Sequence, residues 1–573
     1  MKVSLSVVLQ RAAPGSEQRW ERHSRPAGIH HFLERLRQIF AAFALVMASV
    51  ASGASTPPVP LVDQADAIRL LEQSTFGPTD ALVAHVQAVG VQGWLNEQFL
   101  ATGSQYPAFP YTPQNAQTYC ATSSNPHCRR DSYSLFLLQN AFFRNALTGQ
   151  DQLRQRVAFA LSQIFVTSGV VIPEVYGMAG YQQLLLDSAF GNYEDLMAKV
   201  TLSSVMGDYL NMANNDKARA GVNPNENYAR ELMQLFSIGV WLLNSDGSRI
   251  LDESGNPIPS YDQNTVEAFA HVFTGWTYHL IPGTIQKNHN PKNFLGAMVA
   301  VPTNHDSSAQ TLLDEEIERA GKPMTSDLAF AIHNIFMHPN VGPFIGKQLI
   351  QKLVTGNPSP AYVARVAAAF NNNGPGVRGD LKTVIAAILT DPEARGVSKT
   401  EAVYGKLREP VLYATAIARA VDTASDGVFF AQQAKAMSQD LFNPASVFNY
   451  YPPTYVVAGT TELGPEFALQ NSSTAINRYN FANSFTFGTI GPITTLPGAT
   501  GTQPNWASLQ MLAADPIALV AELSVLLMHG MMPKSMESTL LTAVTAVPAS
   551  DPLTRAKTAF YLTVTSPQFQ VER

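Results

Sequence analysis

Cysteine, charge and long apolar runs are all scarce in this 573-residue chain. Only Cys120 and Cys128 occur, in a polar, proline-containing stretch with His127 beside the second. Two thiols this close read as a local disulfide in an oxidising compartment. A structural zinc site would need more ligands at tighter spacing. Charged residues make up 14% of the chain against 46% hydrophobic ones, which excludes a disordered polyelectrolyte. The formal charge is −6, and without residues 1–54 the balance is 31 basic to 41 acidic. A nucleic-acid-binding surface is not expected from that balance. Common catalytic signatures are missing too: no G-x-S-x-G elbow, no H-E-x-x-H zinc helix, no dinucleotide fingerprint after a strand. Residues 342–347 come near a phosphate loop, but the lysine is one position early and Gln348 replaces its Ser or Thr.

What is present begins with a leader. Arg35 and Arg37 precede the apolar stretch 39–50, and Ser52-Gly53-Ala54 supplies small residues for cleavage near Ala54. Twelve residues are too few for a comfortable span, so export with cleavage is expected, an uncleaved anchor being the alternative. The destination is the periplasm or the medium. No adjacent arginine pair marks a twin-arginine signal, and the region before Phe32 is longer than a usual signal-peptide n-region, which leaves a translation start downstream of Met1 as an expectation.

Beyond the leader, 3.6-residue periodicity dominates. It predicts helices at 64–73, 80–89, 132–164, 181–190, 193–210, 264–273, 327–337, 341–354, 360–370, 381–389, 406–420, 505–530, 535–547 and 552–565. The expected fold is mainly α: a large irregular multi-helix body, 55–573, divisible near 62–215, 216–420 and 421–573. One small β-hairpin insertion is expected near 240–260, where Asp246-Gly247 and Ser254-Gly255 turns separate short apolar runs. The D-x-D-x-D-G spacing of a calcium loop is absent there.

The densest pattern is 223–239, N-P-N-E-N-Y-A-R-E-L-M-Q-L-F-S-I-G. Asn223 and Pro224 read as a helix start, Glu226 as the far side of a capping box, and Gly239 as the stop. Tyr228, Leu232, Leu235 and Phe236 fall on one apolar face; Glu226, Asn227, Arg230, Glu231 and Gln234 fall on a polar arc. Glu226 and Arg230 are an i, i+4 ion pair by spacing. A second capping box is read at Asn264 and Glu267. His271 reads as a packed core histidine, and His289 as a further ligand if a metal is present, although no ligand spacing specifies one.

These blocks carry a resemblance. Residues 225–232, Phe273-Thr274-Gly275-Trp276, His338-Pro339-Asn340-Val341, Arg365-Val366, Asp391-Pro392-Glu393-Ala394-Arg395 and 565–570 together resemble the bacterial family called domain of unknown function 1800, from about Ile68 to the C-terminus. The resemblance implies an exported, largely helical protein without an assigned reaction. It also implies partnership with an exported sulfatase-like family. Much of the family has His-Asp, a short spacer and then lysine after the Thr-Gly-Trp; here Gln310 stands in the lysine's place.

Two function classes remain. One is a hydrolytic or lyase-type enzyme using Glu231, Asn227 and Arg230 with His305 and Asp306 from the following loop. A carboxylate and an imidazole share proton transfer while Arg and Asn hold an oxygen. The other is a non-catalytic exported protein that binds a partner protein or envelope polysaccharide, with the polar arc as a buried network. The aromatic, proline-rich segment 448–453 reads as core cover in either case, with a glycan-binding cleft as its alternative.

Overall fold

Short polar side chains set the helix starts in this chain. Asp63, Thr79, Ser359, Asp380, Asp515 and Asp551 each accept an amide hydrogen from the first turn of the helix that follows. Proline at the first helical position reinforces three of these starts and loses no needed donor. The computed structural model describes residues 61–573 apart from 314, 318–321 and 402. The expected leader and its cleavage point lie outside the described residues. The body from Pro60 to Arg573 is one unit, mainly α-helical, and no described helix is long and apolar enough to cross a membrane.

The elements that frame the site are α1 (Gln64–Ser74), α2 (Gln152–Ser162), α3 (Asn227–Gln234), α4 (Gln263–Val272), α5 (Met324–Met337), α6 (Val341–Leu353), α7 (Pro360–Asn371) and α8 (Pro410–Arg419). Helix α6 packs along α7 and also against α2, while α3 packs on α4. Helix α1 is enclosed from Ala67 to Ser74, charged Arg69 and Glu72 included. Strand pairing is confined to two- and three-residue antiparallel pieces. Those used below are β1 (Trp276–Thr277) with β2 (Val299–Ala300), and β3 (Lys406–Leu407) with β4 (Val571–Glu572). Cys120 and Cys128 are joined in a disulfide.

Several expected boundaries move. The 132–164 pattern divides into Phe136–Thr148 and Gln152–Ser162 around Gly149, and 505–530 divides ahead of Pro516. The expected helix at 406–420 starts only at Pro410, because Lys406 and Leu407 are extended and paired with the C-terminal residues. The capping box at Asn264 is replaced by Asp262, whose carboxylate takes the Thr265 amide at 2.8 Å. Glu267 instead accepts from Gln263 Nε2 at 3.1 Å.

The β feature near 240–260 has three sides rather than two. Leu242 N donates to Ile258 O (2.8 Å), Ile250 N to Leu242 O (2.8 Å), and Ile258 N to Ile250 O (3.0 Å), so three segments eight residues apart close on one another. Gly247 and Gly255 turn the corners with φ of 76° and 82°, a region where only glycine is unstrained. Asn340, buried at the start of α6, clamps this ring: its Nδ2 donates to Ile238 O and Trp241 O, and its Oδ1 accepts from Leu243 N.

Candidate functional site

The motif helix is shorter than its sequence pattern. Helix α3 begins at Asn227, and Glu226 occupies the cap position without a side-chain cap bond, so the Asn223–Glu226 capping box does not form. The reason is tertiary. Asn225 N donates to Asn215 Oδ1 (2.8 Å) and Asn215 Nδ2 returns to Asn225 O (3.1 Å), which pins the approach to the helix. Asn225 Oδ1 then takes the Asn227 amide at 2.9 Å. At the far end Ile238 N and Gly239 N both reach Met233 O, and Gly239 has a φ of 71° as a stop requires.

On the polar arc, Arg230 Nη2 donates to Glu226 Oε2 at 2.7 Å and to Gln263 Oε1 of α4 at 3.0 Å. Gln263 Nε2 closes the square onto Glu226 Oε2 at 2.9 Å. Asn227 Nδ2 donates to Asn211 Oδ1 at 2.7 Å, and Asn211 holds a φ of 60°. Gln234 is half-buried. Glu231 differs from these neighbours. It is half-buried, and its Oε2 is enclosed with no hydrogen-bond partner. Burial pushes its carboxyl above the usual range, with the adjacent Arg230 charge opposing. Tyr209 and Tyr261 stand close enough to feel it: burial first, then the Glu231 charge, pushes each phenol up to about 12, with Arg230 opposing at Tyr261.

The His305-Asp306 loop meets the other end of α4. His305 is buried, with Nδ1 2.9 Å from Thr274 O and Nε2 3.0 Å from Asp327 Oδ2 on α5. Asp306 Oδ2 lies 2.5 Å from His271 Nδ1. Burial works against the charged form of Asp306, but the Ser308 hydroxyl and amide, then His271, hold it below the ordinary carboxylate range. His271 is therefore a tether between α4 and this loop, half-buried rather than packed in the core. Gln263 and His271 are eight residues apart on one helix, roughly 12 Å along its axis. Helix α4 thus contacts both groups of predicted site residues at separate positions, Arg230 through Gln263 and Asp306 through His271. Gly275, φ 84°, has to be glycine here, since a Cβ would meet His305 backbone atoms at 2.9 Å. His289 pairs with Asp216 at 2.9 Å on the surface. Among the described residues no three His, Cys, Asp or Glu side chains converge as a metal site.

A family model described as a protein of unknown function (DUF1800) matches residues 69–571. The chain belongs to the DUF1800 family. No curated protein and no solved structure matches it.

In this DUF1800 chain the signature blocks have separate physical tasks. Asn225 laces the loop before α3, Gly275 admits the His305 loop, and Asn340 clamps the ring. Arg365 grips Asp391 with two hydrogen bonds of 2.7 and 2.8 Å. Sequence reasoning missed a buried ionic core. Glu409, fully enclosed, accepts from Tyr451 Oη (2.9 Å), Gln163 Nε2 (3.1 Å) and Gln439 Nε2. Lys352 Nζ donates to Gln163 Oε1 at 3.0 Å and lies 4.0 Å from the Tyr451 ring centroid. Burial pushes the Lys352 amine down to about 8, with Glu409 opposing. Nearby Glu72 bridges Arg408 (2.6 Å) and His529 (2.5 Å). Within the segment 448–453 read as core cover, Tyr451 is buried over this core, whereas Phe448 is exposed and covers nothing. The sequence signal was faint: Lys406, Arg408 and Glu409 crowd an otherwise apolar stretch.

Proposed function

We propose that the protein is an exported enzyme of the hydrolase or lyase kind whose acid–base group is Glu231. The observation that carries this reading is the enclosed, unpartnered Glu231 Oε2. Neighbouring Glu226, Arg230 and Asn227 are tied into hydrogen bonds, whereas one oxygen of Glu231 is left for something else. A carboxyl destabilised as an anion by burial is suited to hand a proton to a leaving oxygen and recover it from water. Tyr209 and Tyr261 stay neutral and offer hydroxyl donors to a developing oxyanion. Arg230, fixed by Glu226 and Gln263, keeps the positive charge beside Glu231 in place. Asn227, His305 and Asp306 are positioning residues in this reading: they hold the ends of α3 and α4 through Asn211, Thr274 and His271. Export is supported by the leader-like residues 35–54 and by the Cys120–Cys128 bond, which suits an oxidising compartment. A sulfatase-like exported partner fits the same location.

The test is Glu231→Gln in the purified protein, screened on chromogenic esters, sulfate esters and glycosides. Turnover should fall by about a hundredfold or more, within the range general acid catalysis contributes, while the melting temperature does not drop. Retained turnover, or no turnover by the parent protein on any class, would refute the reading.

A further inference from the structure

A cleft of about 330 Å³ opens between the three-sided ring, one side of α6 and the turn at Pro453 and Thr454. Its walls carry two cations, Arg249 from the ring and Lys347 from α6, and no carboxylate. Neither cation has an ion-pair partner among the described residues. Burial, and then the Arg249 charge, holds the Lys347 amine below its ordinary value. Two like charges in a half-apolar cleft repel each other, and an anion bound there relieves the repulsion.

The cleft also contains neutral groups with unmet hydrogen bonds. Gln348 is 9% exposed and Gln351 2%, yet Gln348 Nε2 and Gln351 Oε1 are enclosed without a protein partner. The Gln351 amide is not free to rearrange, since its Nε2 is held by Gly356 O (3.0 Å) and Pro453 O (2.9 Å). One orphan donor and one orphan acceptor match a hydroxyl group, which accepts one bond and gives another. Two aromatic side chains complete the lining: Trp241, with the Arg249 guanidinium 5.6 Å from its ring centroid, and Phe344. Anionic groups, hydroxyls and flat apolar faces occur together in acidic sugars. A nucleic acid is disfavoured by the net negative charge of the chain.

We propose that this cleft binds an acidic saccharide, with its carboxylate or sulfate held by Arg249 and Lys347 and its hydroxyls on Gln348 and Gln351. The volume is at the small end of ligand sites, roughly 300–1,000 Å³, so it takes a short segment of a chain rather than a globular partner. The site is separate from Glu231 and stands whether or not that residue is catalytic.

The test is calorimetric titration of the purified protein with oligogalacturonate, sulfated dextran oligosaccharide, neutral dextran oligosaccharide and poly-glutamate. Binding to one or both acidic saccharides is expected, weakening as salt is raised. Uronate alone would identify a carboxylate, and sulfated dextran alone a sulfate ester. Arg249→Gln and Lys347→Met should each raise Kd at least tenfold, and Arg249→Gln, at an exposed position, should leave the melting temperature unchanged. The proposal is overturned if neither acidic saccharide binds, if neutral dextran binds equally well, or if the double variant binds as the parent does. Poly-glutamate binding as tight as the saccharides would also overturn it, in favour of an acidic peptide.

Discussion

Glu231 follows an arginine already claimed by Glu226 and Gln263, so the nearest positive charge does little to pay for burying its carboxylate. The stability consequence has a definite sign. A carboxyl whose folded pKa is raised binds protons more tightly when folded. Its contribution is therefore full below the ordinary value of 4.5 and is lost as pH rises through the folded value. Glu231→Gln should thus raise the melting temperature relative to the parent at pH 8 and leave it nearly unchanged at pH 4. Equal effects at both pH values would mean the carboxylate is satisfied when charged. Part of this neighbourhood was legible in the sequence: the i, i+4 spacing identified the Glu226–Arg230 pair, and the polar arc singled out Glu231. The capping role assigned to Asn223 was not legible correctly, because Asn215, remote from the motif helix in the local pattern, decides where α3 starts. No local rule sees such a partner.

Among the elements, the three-sided ring is the least ordinary. Three short segments spaced eight residues apart satisfy one another in a cycle, and one buried side chain, Asn340, joins them to α6. Asn340→Ala would strand the Leu243 amide and the carbonyls of Ile238 and Trp241. The expected loss is about 2–3 kcal/mol, since of the three groups left unpaired only the Ile238 carbonyl is fully enclosed, and hydrogen exchange should quicken in 240–260 before the rest of the body. Uniform exchange across the body would show that the ring is not a separable unit. The glycine corners were readable from Asp246-Gly247 and Ser254-Gly255, but closure was not, since a hairpin signal describes two strands and is silent about a third. Helix boundaries failed for a related reason: Lys406 and Leu407 have helical neighbours, and only the C-terminal strand pulls them out of the helix.

At the scale of the whole molecule, the fold encloses a set of charges that the sequence scatters. Glu409 offsets Lys406, Lys352 and Arg156 where none of the four meets water. Glu409→Ala should cost about 3–5 kcal/mol by leaving a buried cation without its counter-charge. Denaturant unfolding measures that loss, and pairing it with Lys352→Met should recover much of it. If the double variant is as unstable as the single, the polar partners Gln163 and Tyr451 matter more than the charges. Helical character and the disulfide followed from composition and spacing, whereas this core did not, because its members come from distant parts of the chain. The distances along the chain are large: Glu72 meets Arg408 and His529 after 336 and 457 residues, and Arg69 donates to the carbonyl of Arg573 after 504. At a synthesis rate of roughly 5–20 residues per second, helix α1 waits tens of seconds for the groups that neutralise it. During that interval Glu72 lacks both groups that enclose its carboxylate, so helix α1 reaches its final surroundings only after residues 408 and 529 have been made.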